Sequence, residues 1–298
     1  MDIFYIFTLC ISAQFIEVYG QLNPTPRKDA EVDLSTRIVG GQEAAPHAYP
    51  WQAYLIKRLQ GNWRFTCGGM LIDREFVLTA AHCIEGVSKR NLQVVLGDHD
   101  ITVTEGTERF HEIKSILINP DYDPYTFDGD FALLRLKNAA TLNSYVDVVT
   151  LADTFNDSGE CVITGWGNAI KDGPQFTVLQ EAAVTIVPVS TCESIWNSFN
   201  PITDTMMCAG NGAQGSCEGD SGGPMVCFEN GVWVAHGITS WGTEQCGVDG
   251  IPDVYARISS IHAQIMSIIS GGGGGGGGGN GNGGNGNGNG NGNGKGKG

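Results

Sequence analysis

Short apolar runs set apart by Gly, Pro, Asn or Asp recur along most of the chain: Trp51–Ile56, Gly69–Ile72, Leu92–Leu96, Phe131–Leu136, Cys161–Gly165, Ala182–Val187, Pro224–Val226, Val232–Ile238 and Asp253–Arg257. Runs this short have the length of strands and lack the extent of helices. Their spacing predicts an all-β body, either a barrel or a sandwich. The pattern changes after Arg257. Ile258, Ile261, Ile265, Ile268 and Ile269 fall at three- and four-residue steps, which predicts a helix with one apolar face. A shorter helix is expected around Cys192–Trp196.

Both ends depart from the pattern. Residues 1–20 are mostly apolar and read as a signal peptide, with Val18 and Gly20 suited to the cleavage site, although Asp2 replaces the usual basic start. The stretch Ile3–Ile16 is short for a bilayer core of about 30 Å, so a soluble, secreted, extracellular protein is expected, with no membrane partner. Residues 271–298 are almost only Gly and Asn, with Lys295 and Lys297 near the end. Having no apolar side chain to bury, they read as a disordered tail. The folded unit is then 38–270, preceded by a short segment, 21–37.

Charge narrows the partners. The chain carries 17 Lys and Arg against 32 Asp and Glu, a net charge of −15. Phosphate binding needs a basic footprint, so nucleic acid is excluded as a partner. So acidic a surface favours solubility and repels acidic partners. Of the nine cysteines, Cys10 falls in the signal segment. The remainder are Cys67, Cys83, Cys161, Cys192, Cys208, Cys217, Cys227 and Cys246, an even set that points to disulfides in a secreted chain. Zinc would want short Cys-x-x-Cys or His-x-x-x-His pairs, and the sequence has none. Composition leaves open which of on the order of a hundred pairings forms.

The candidate chemistry lies in separated motifs. Gly219-Asp220-Ser221-Gly222-Gly223-Pro224 places a serine in a turn that glycines free for tight backbone geometry and close substrate approach. Backbone N–H groups in such a turn can face an oxygen that gains charge during acyl transfer. Thr79-Ala80-Ala81-His82-Cys83 supplies a histidine, and Asp130 stands just before Phe131-Ala132-Leu133-Leu134. A serine hydroxyl needs a base to take its proton, and the base works best when a carboxylate fixes its tautomer. His47, His99, His111, His236 and His262 read as surface or core residues. Asn156-Asp157-Ser158 fits a glycosylation acceptor.

Taken in order, Ile38-Val39-Gly40-Gly41, the Ala-Ala-His-Cys segment, Asp130 with its apolar run, Gly165-Trp166-Gly167, the serine turn and Ser240-Trp241-Gly242 resemble the chymotrypsin/trypsin family of serine peptidases. The resemblance spans Ile38 to Ile269. It implies two six-stranded antiparallel β-barrels with a C-terminal helix. It implies His82 as general base, Asp130 as its orienting carboxylate, Ser221 as nucleophile, and the N–H groups of Gly219 and Ser221 as oxyanion hole. It implies the disulfides Cys67–Cys83, Cys161–Cys227, Cys192–Cys208 and Cys217–Cys246. Cleavage after Arg37 would remove 21–37 as an activation propeptide, and the new amino group of Ile38 would pair with Asp220.

Other consequences of the resemblance are finer. The selectivity pocket would be built from Gly215, Ser216, Glu218, Ser240, Trp241, Gly242 and Asp253. Trypsin-like members carry Asp at the place of Gly215. Here the acid stands across the pocket, at Asp253, where Gly is usual. The combination resembles crab collagenases (brachyurins), which accept basic and apolar residues. Asp98, Asp100, Val103, Glu105 and Glu108 resemble the calcium loop of trypsins, so structural calcium is the one metal expected; catalysis would need no cofactor. Gln264 stands where the family's terminal helix usually has Trp, which would loosen that helix. The expected partners are protein or peptide substrates, an activating protease and protein protease inhibitors, met by a monomer. A digestive or general extracellular role is expected. The rivals are a dedicated cascade-processing protease and an inactive homologue that only binds.

Overall fold

In the computed structural model, which describes residues 40–271, the apolar runs become the walls of two barrels. The expected signal segment, Arg37, Ile38 and residues 272–298 lie outside the described residues; Gly271, expected to begin the disordered tail, instead ends the last helix. A two-residue strand, β1 (Gln42–Glu43), precedes the first barrel. That barrel comprises β2 (Gln52–Leu59), β3 (Asn62–Asp73), β4 (Phe76–Thr79), β5 (Leu92–Leu96), β6 (Arg109–Ile118) and β7 (Ala132–Leu136). Its order is β2-β3-β4-β7-β6-β5, closed by the pairing of β5 with β2. A short strand, β8 (Thr150–Leu151), leads into the second barrel: β9 (Glu160–Gly165), β10 (Gln180–Val187), β11 (Met206–Ala209), β12 (Pro224–Glu229), β13 (Val232–Trp241) and β14 (Asp253–Arg257). These six also close, because β9 pairs with both β10 and β12. All pairings within the barrels are antiparallel; β8 alone lies parallel, on β13.

Closure satisfies backbone groups that an open sheet would leave bare at its edges. It also sorts side chains by alternation. In β10, Ala182, Val184 and Ile186 are buried, whereas Ala183 and Thr185 are exposed. Strands β6, β4 and β11 were not legible as apolar runs. In β6 only Ile113 is fully buried, and charged residues interrupt the alternation. β4 and β11 are only four residues long.

Both expected helices form. α1 (Val189–Trp196) buries Cys192 and Trp196, and α2 (Ile258–Gly271) buries Ile258, Ile261 and Ile265. Ile268 and Ile269 pack partly against the same core. Gln264 is exposed, and its Nε2 donates to Asn119 Oδ1 at 3.4 Å. The helix is held by its isoleucines, and this bond adds a polar tether to the first barrel. The four disulfides are Cys67–Cys83, Cys161–Cys227, Cys192–Cys208 and Cys217–Cys246.

Candidate active site

The two barrels meet where the separated motifs converge. Strand β4 delivers Thr79-Ala80-Ala81, all fully buried, so the next residue, His82, is fixed at the barrel rim. Asp130 stands two residues before β7 and is itself fully buried. Its carboxylate holds the histidine twice: the His82 backbone N–H donates to Oδ1 at 2.9 Å, and ring Nδ1 meets Oδ2 at 2.7 Å. A carboxylate only accepts, so the ring proton sits on Nδ1 and Nε2 keeps its lone pair. Ser240 Oγ–H donates to the same Oδ2 at 2.6 Å. Three donors thus compensate a buried carboxylate that would otherwise be costly to desolvate. The Phe127 ring stands edge-on to His82, with centroids 5.7 Å apart.

Ser221 reaches the same place from the second barrel. Its carbonyl accepts the Gly68 N–H at 2.8 Å, one residue beyond the Cys67–Cys83 bridge that flanks His82. The turn is closed by Asp220 N–H to Cys217 O at 3.0 Å and Gly223 N–H to Asp220 O at 2.9 Å. Gly222 has φ +80° and packs so closely that a Cβ there would lie 2.3 Å from Thr79 Oγ1. Only glycine fits both the conformation and the gap. Gly219 is also left-handed, at φ +97°. Among the described residues, neither the Gly219 nor the Ser221 N–H has a hydrogen-bond acceptor. The Ser221 hydroxyl makes no hydrogen bond to His82 Nε2 here; such contacts commonly tighten only with substrate bound.

Beside Ser221 opens a cavity of about 210 Å³ lined by Ser216, Glu218, Ser240, Trp241, Gly242 and Asp253, among others. Asp253 reaches into it from the start of β14. Its Oδ2 accepts the Ser216 N–H at 2.5 Å and the Ser216 hydroxyl at 3.0 Å. The carboxylate fits because two neighbours lack side chains: a Cβ on Gly215 would lie 2.5 Å from Oδ2, and one on Gly242 2.6 Å from Oδ1. Burial pushes the Asp253 carboxyl up to about 6, against the pull of the Ser216 donors. Glu218 sits at the rim, where its Oε2 accepts Asn168 Nδ2 at 3.1 Å and the Asp172 N–H at 3.0 Å.

Asp220 lies deeper. It accepts Gly167 N–H on Oδ1 at 2.9 Å and Cys217 N–H on Oδ2 at 3.0 Å. Burial outweighs these donors and, with the nearby Asp253 charge, raises its carboxyl to about 7. Among the described residues no cation reaches it. A Cβ on Gly40, two residues after Ile38, would lie 2.2 Å from Ala213 O.

The acidic loop between β5 and β6 is closed by its own hydrogen bonds. Asp98 accepts Tyr54 Oη–H at 2.7 Å, Glu105 the His99 N–H at 2.8 Å, Glu108 the Gly106 N–H at 2.7 Å, and Asp100 the Thr102 N–H at 3.0 Å. Val103 is exposed and its N–H donates to Asp100 O at 3.2 Å. Among the described residues, no three of these carboxylates gather within 4.8 Å of one another. One atom stands apart: Asp98 Oδ1 is buried and has no partner. The oxygen-only donor set has the chemistry calcium takes, although the side chains do not converge. Two other ligand-type groupings, Cys67/His82/Cys83 and Cys227/Glu229/His236, have their sulfurs committed to disulfides. Asn156 is exposed, as a glycosylation acceptor must be.

The support beneath the pocket left little trace in the sequence. Trp196 on α1 donates its Nε1–H to Pro252 O at 3.0 Å and stands edge-on to Trp241 at 4.8 Å. It thereby braces the segments that carry Asp253 and Gly242. Its only signal was an aromatic beside a cysteine in a short helical stretch.

Comparison with known proteins agrees with this geometry. A family model described as Trypsin matches residues 38–265. Chymotrypsin-like elastase family member 1 of Macaca fascicularis is 38% identical over 246 residues, covering 80% of this chain and 91% of that protein. Its namesake from Homo sapiens is 36% identical over 245 residues, covering 80% and 94%.

Proposed function

Because the chain belongs to the trypsin family of serine peptidases, we propose that it is a secreted serine endopeptidase, made as a zymogen and activated by cleavage after Arg37. Ser221 Oγ attacks the scissile carbonyl carbon while His82 Nε2 takes its proton. Asp130, itself held by the Ser240 hydroxyl, holds the ring so that its Nδ1–H stays paired as positive charge develops. The negative charge on the carbonyl oxygen goes to the N–H groups of Gly219 and Ser221. His82 then gives its proton to the leaving amine, and the acyl group remains on Ser221. Water, deprotonated by the same nitrogen, releases it. The single observation that carries this reading is the buried Asp130 grip on both His82 nitrogen donors beside a serine turn with two unpaired N–H groups.

Activation follows from Asp220. A fully buried carboxylate with two donors and no cation is costly. The ammonium of Ile38, freed by the cut, would supply the missing charge and hold the turn that carries Gly219. Gly40, two residues after Ile38, packs closely against Ala213, seven residues before Asp220. The disulfides support an oxidising, extracellular destination. Members of this family need no cofactor for catalysis; calcium at the Asp98–Glu108 loop would be structural, tightening the loop around the unpartnered Asp98 oxygen.

For selectivity we infer a pocket that takes both basic and large apolar side chains, as in crab collagenases. The bare Gly215 floor admits apolar groups by burial, and Asp253 offers a carboxylate from the side. A second reading, elastase-like cleavage, is favoured by the name of the relatives. Profiling the protein, processed at Arg37, on a peptide library separates the two: cleavage after Lys and Arg as well as Leu and Phe supports the first, and its restriction to small apolar residues the second. No cleavage at all, with all three residues intact, would favour an inactive binding homologue.

A further inference from the structure

The positive charge of this acidic chain is unevenly placed. Five of its 17 Lys and Arg residues line one groove of about 520 Å³ on the first barrel: Arg58, Lys89, Arg90, Lys114 and Lys137. The groove holds one carboxylate, Glu112, which is taken by Lys137 at 2.6 Å. Lys89 Nζ donates to Lys114 O at 2.6 Å and Arg58 Nε to Gly61 O at 3.3 Å. These carbonyls satisfy protons but leave the charge uncancelled. Among the described residues, Arg58, Lys89, Arg90 and Lys114 have no carboxylate partner. Like charges gathered on one surface repel, and an external anion relieves that repulsion.

One strand, β3, joins the groove to the catalytic cleft. Trp63, exposed on its rim, lies on β3. Further along the same strand Phe65 comes within 3.4 Å of where a Gly219 Cβ would be, and Gly68 bonds the Ser221 carbonyl. At about 3.3 Å per residue, Trp63 stands roughly 17 Å from that contact. The cavity beside Ser221 is lined by residues of the second barrel and, on the peptidase reading, would receive the acyl side of a substrate. The leaving side therefore faces β3 and runs toward the groove.

We propose that this groove binds an acidic segment of the polypeptide being cleaved, several residues beyond the scissile bond on the leaving-group side. The inference rests on the peptidase reading above. The indole of Trp63 and the underlying Leu92 and Ile113 suit acidic residues interspersed with apolar ones. The Glu112–Lys137 pair interrupts the cationic lining, which disfavours an unbroken polyanion. A substrate seated in the cleft brings such a segment to the groove at high effective concentration. Over the rest of the surface, the net negative charge repels it, so the groove sets its orientation.

The test compares two peptides that share one cleavage segment. One carries a tail of Asp and Glu interspersed with Leu, about six to ten residues after the cleaved bond; the other has Asn and Gln in their place. The processed enzyme should show kcat/KM about tenfold higher for the acidic tail. The preference should vanish in the Arg90→Glu/Lys114→Glu double variant, while a short peptide without a tail is cleaved equally by both enzymes. It should also fade from ~0.1 M to ~1 M salt, as the screening length falls from about 10 to about 3 Å. Equal rates on both tails, or a preference that survives the double variant, would overturn the proposal. So would binding of heparin at the groove without any discrimination between tails. A labelled acidic tail with no cleavable residue, followed by fluorescence anisotropy, separates the two claims. If it binds the parent and not the double variant although neither peptide is hydrolysed, the groove stands and the peptidase reading fails.

Discussion

At Asp253 a carboxylate is buried against two donors from a single residue, Ser216, in space left by two glycines. Its other oxygen is available to a cation entering the pocket. A charge-assisted hydrogen bond is worth about 1.5–3 kcal/mol, so Asp253→Gly should reduce kcat/KM after Lys and Arg roughly tenfold to a hundredfold and spare cleavage after Leu and Phe. Equal loss on both classes in matched peptides would remove Asp253 from selectivity. The raised carboxyl adds a pH signature. Its value of about 6 in the folded protein lies above the ordinary ~3.9 of an unfolded chain. Between these values the folded state binds the extra proton, so this group's contribution to stability falls as pH rises through that window. For selectivity the sign is opposite: the ionised form recognises the cation. The ratio of basic to apolar kcat/KM should therefore drop as pH falls through about 6. A flat ratio from pH 5 to 8 would contradict the assignment. Asp253 could be placed in the pocket from the sequence because it follows Pro252 where glycine is usual. Its bond to Ser216 could not, since it depends on a loop residue approaching the start of a strand 37 positions further on.

The serine turn and the acidic loop are elements whose geometry can be tested without touching the reacting atoms. Gly222→Ala would add a Cβ 2.3 Å from Thr79 Oγ1 at a left-handed position. Strain and collision together should destabilise the protein by about 1–3 kcal/mol, and activity should fall further than stability, because the neighbouring Ser221 moves with the turn. A variant with parental melting and turnover would show that the turn is not held as described. In the loop between β5 and β6, calcium should raise the melting temperature by mass action, and Glu108→Gln should remove the increment. An unchanged curve across millimolar calcium would leave a hairpin closed only by its hydrogen bonds. At this scale the sequence was most readable where one face of a strand or helix is fully buried. β5, β14 and α2 all begin at the residues expected from periodicity. β6 was obscured because Ile113 is its one buried residue and charged side chains interrupt the alternation, and β1 and β8 are two-residue additions defined only by the strands they join.

For the whole molecule, the two-barrel arrangement was legible only through the resemblance carried by the ordered motifs; alternation alone left barrel and sandwich equally open. The four disulfide pairings were likewise beyond composition, and they stand as the resemblance implied. The meeting of the barrels explains why His82, Asp130 and Ser221 are so distant in sequence: each is fixed by its own strand end, and the cleft between the barrels assembles them. The proposed dependence on activation belongs to this scale too. Protein carrying Arg37→Gln should remain uncut and nearly inactive, because Asp220 would lack its cation; uncut protein as active as processed protein would refute the switch. The most direct measurement of the central claim is labelling of the processed protein with a fluorophosphonate that reacts only with an activated serine. We expect one adduct, mapped by mass spectrometry to Ser221, with Ser221→Ala unlabelled and its turnover lowered on the order of 10⁴–10⁶-fold. No adduct on Ser221, or turnover of Ser221→Ala within tenfold of the parent, would contradict it.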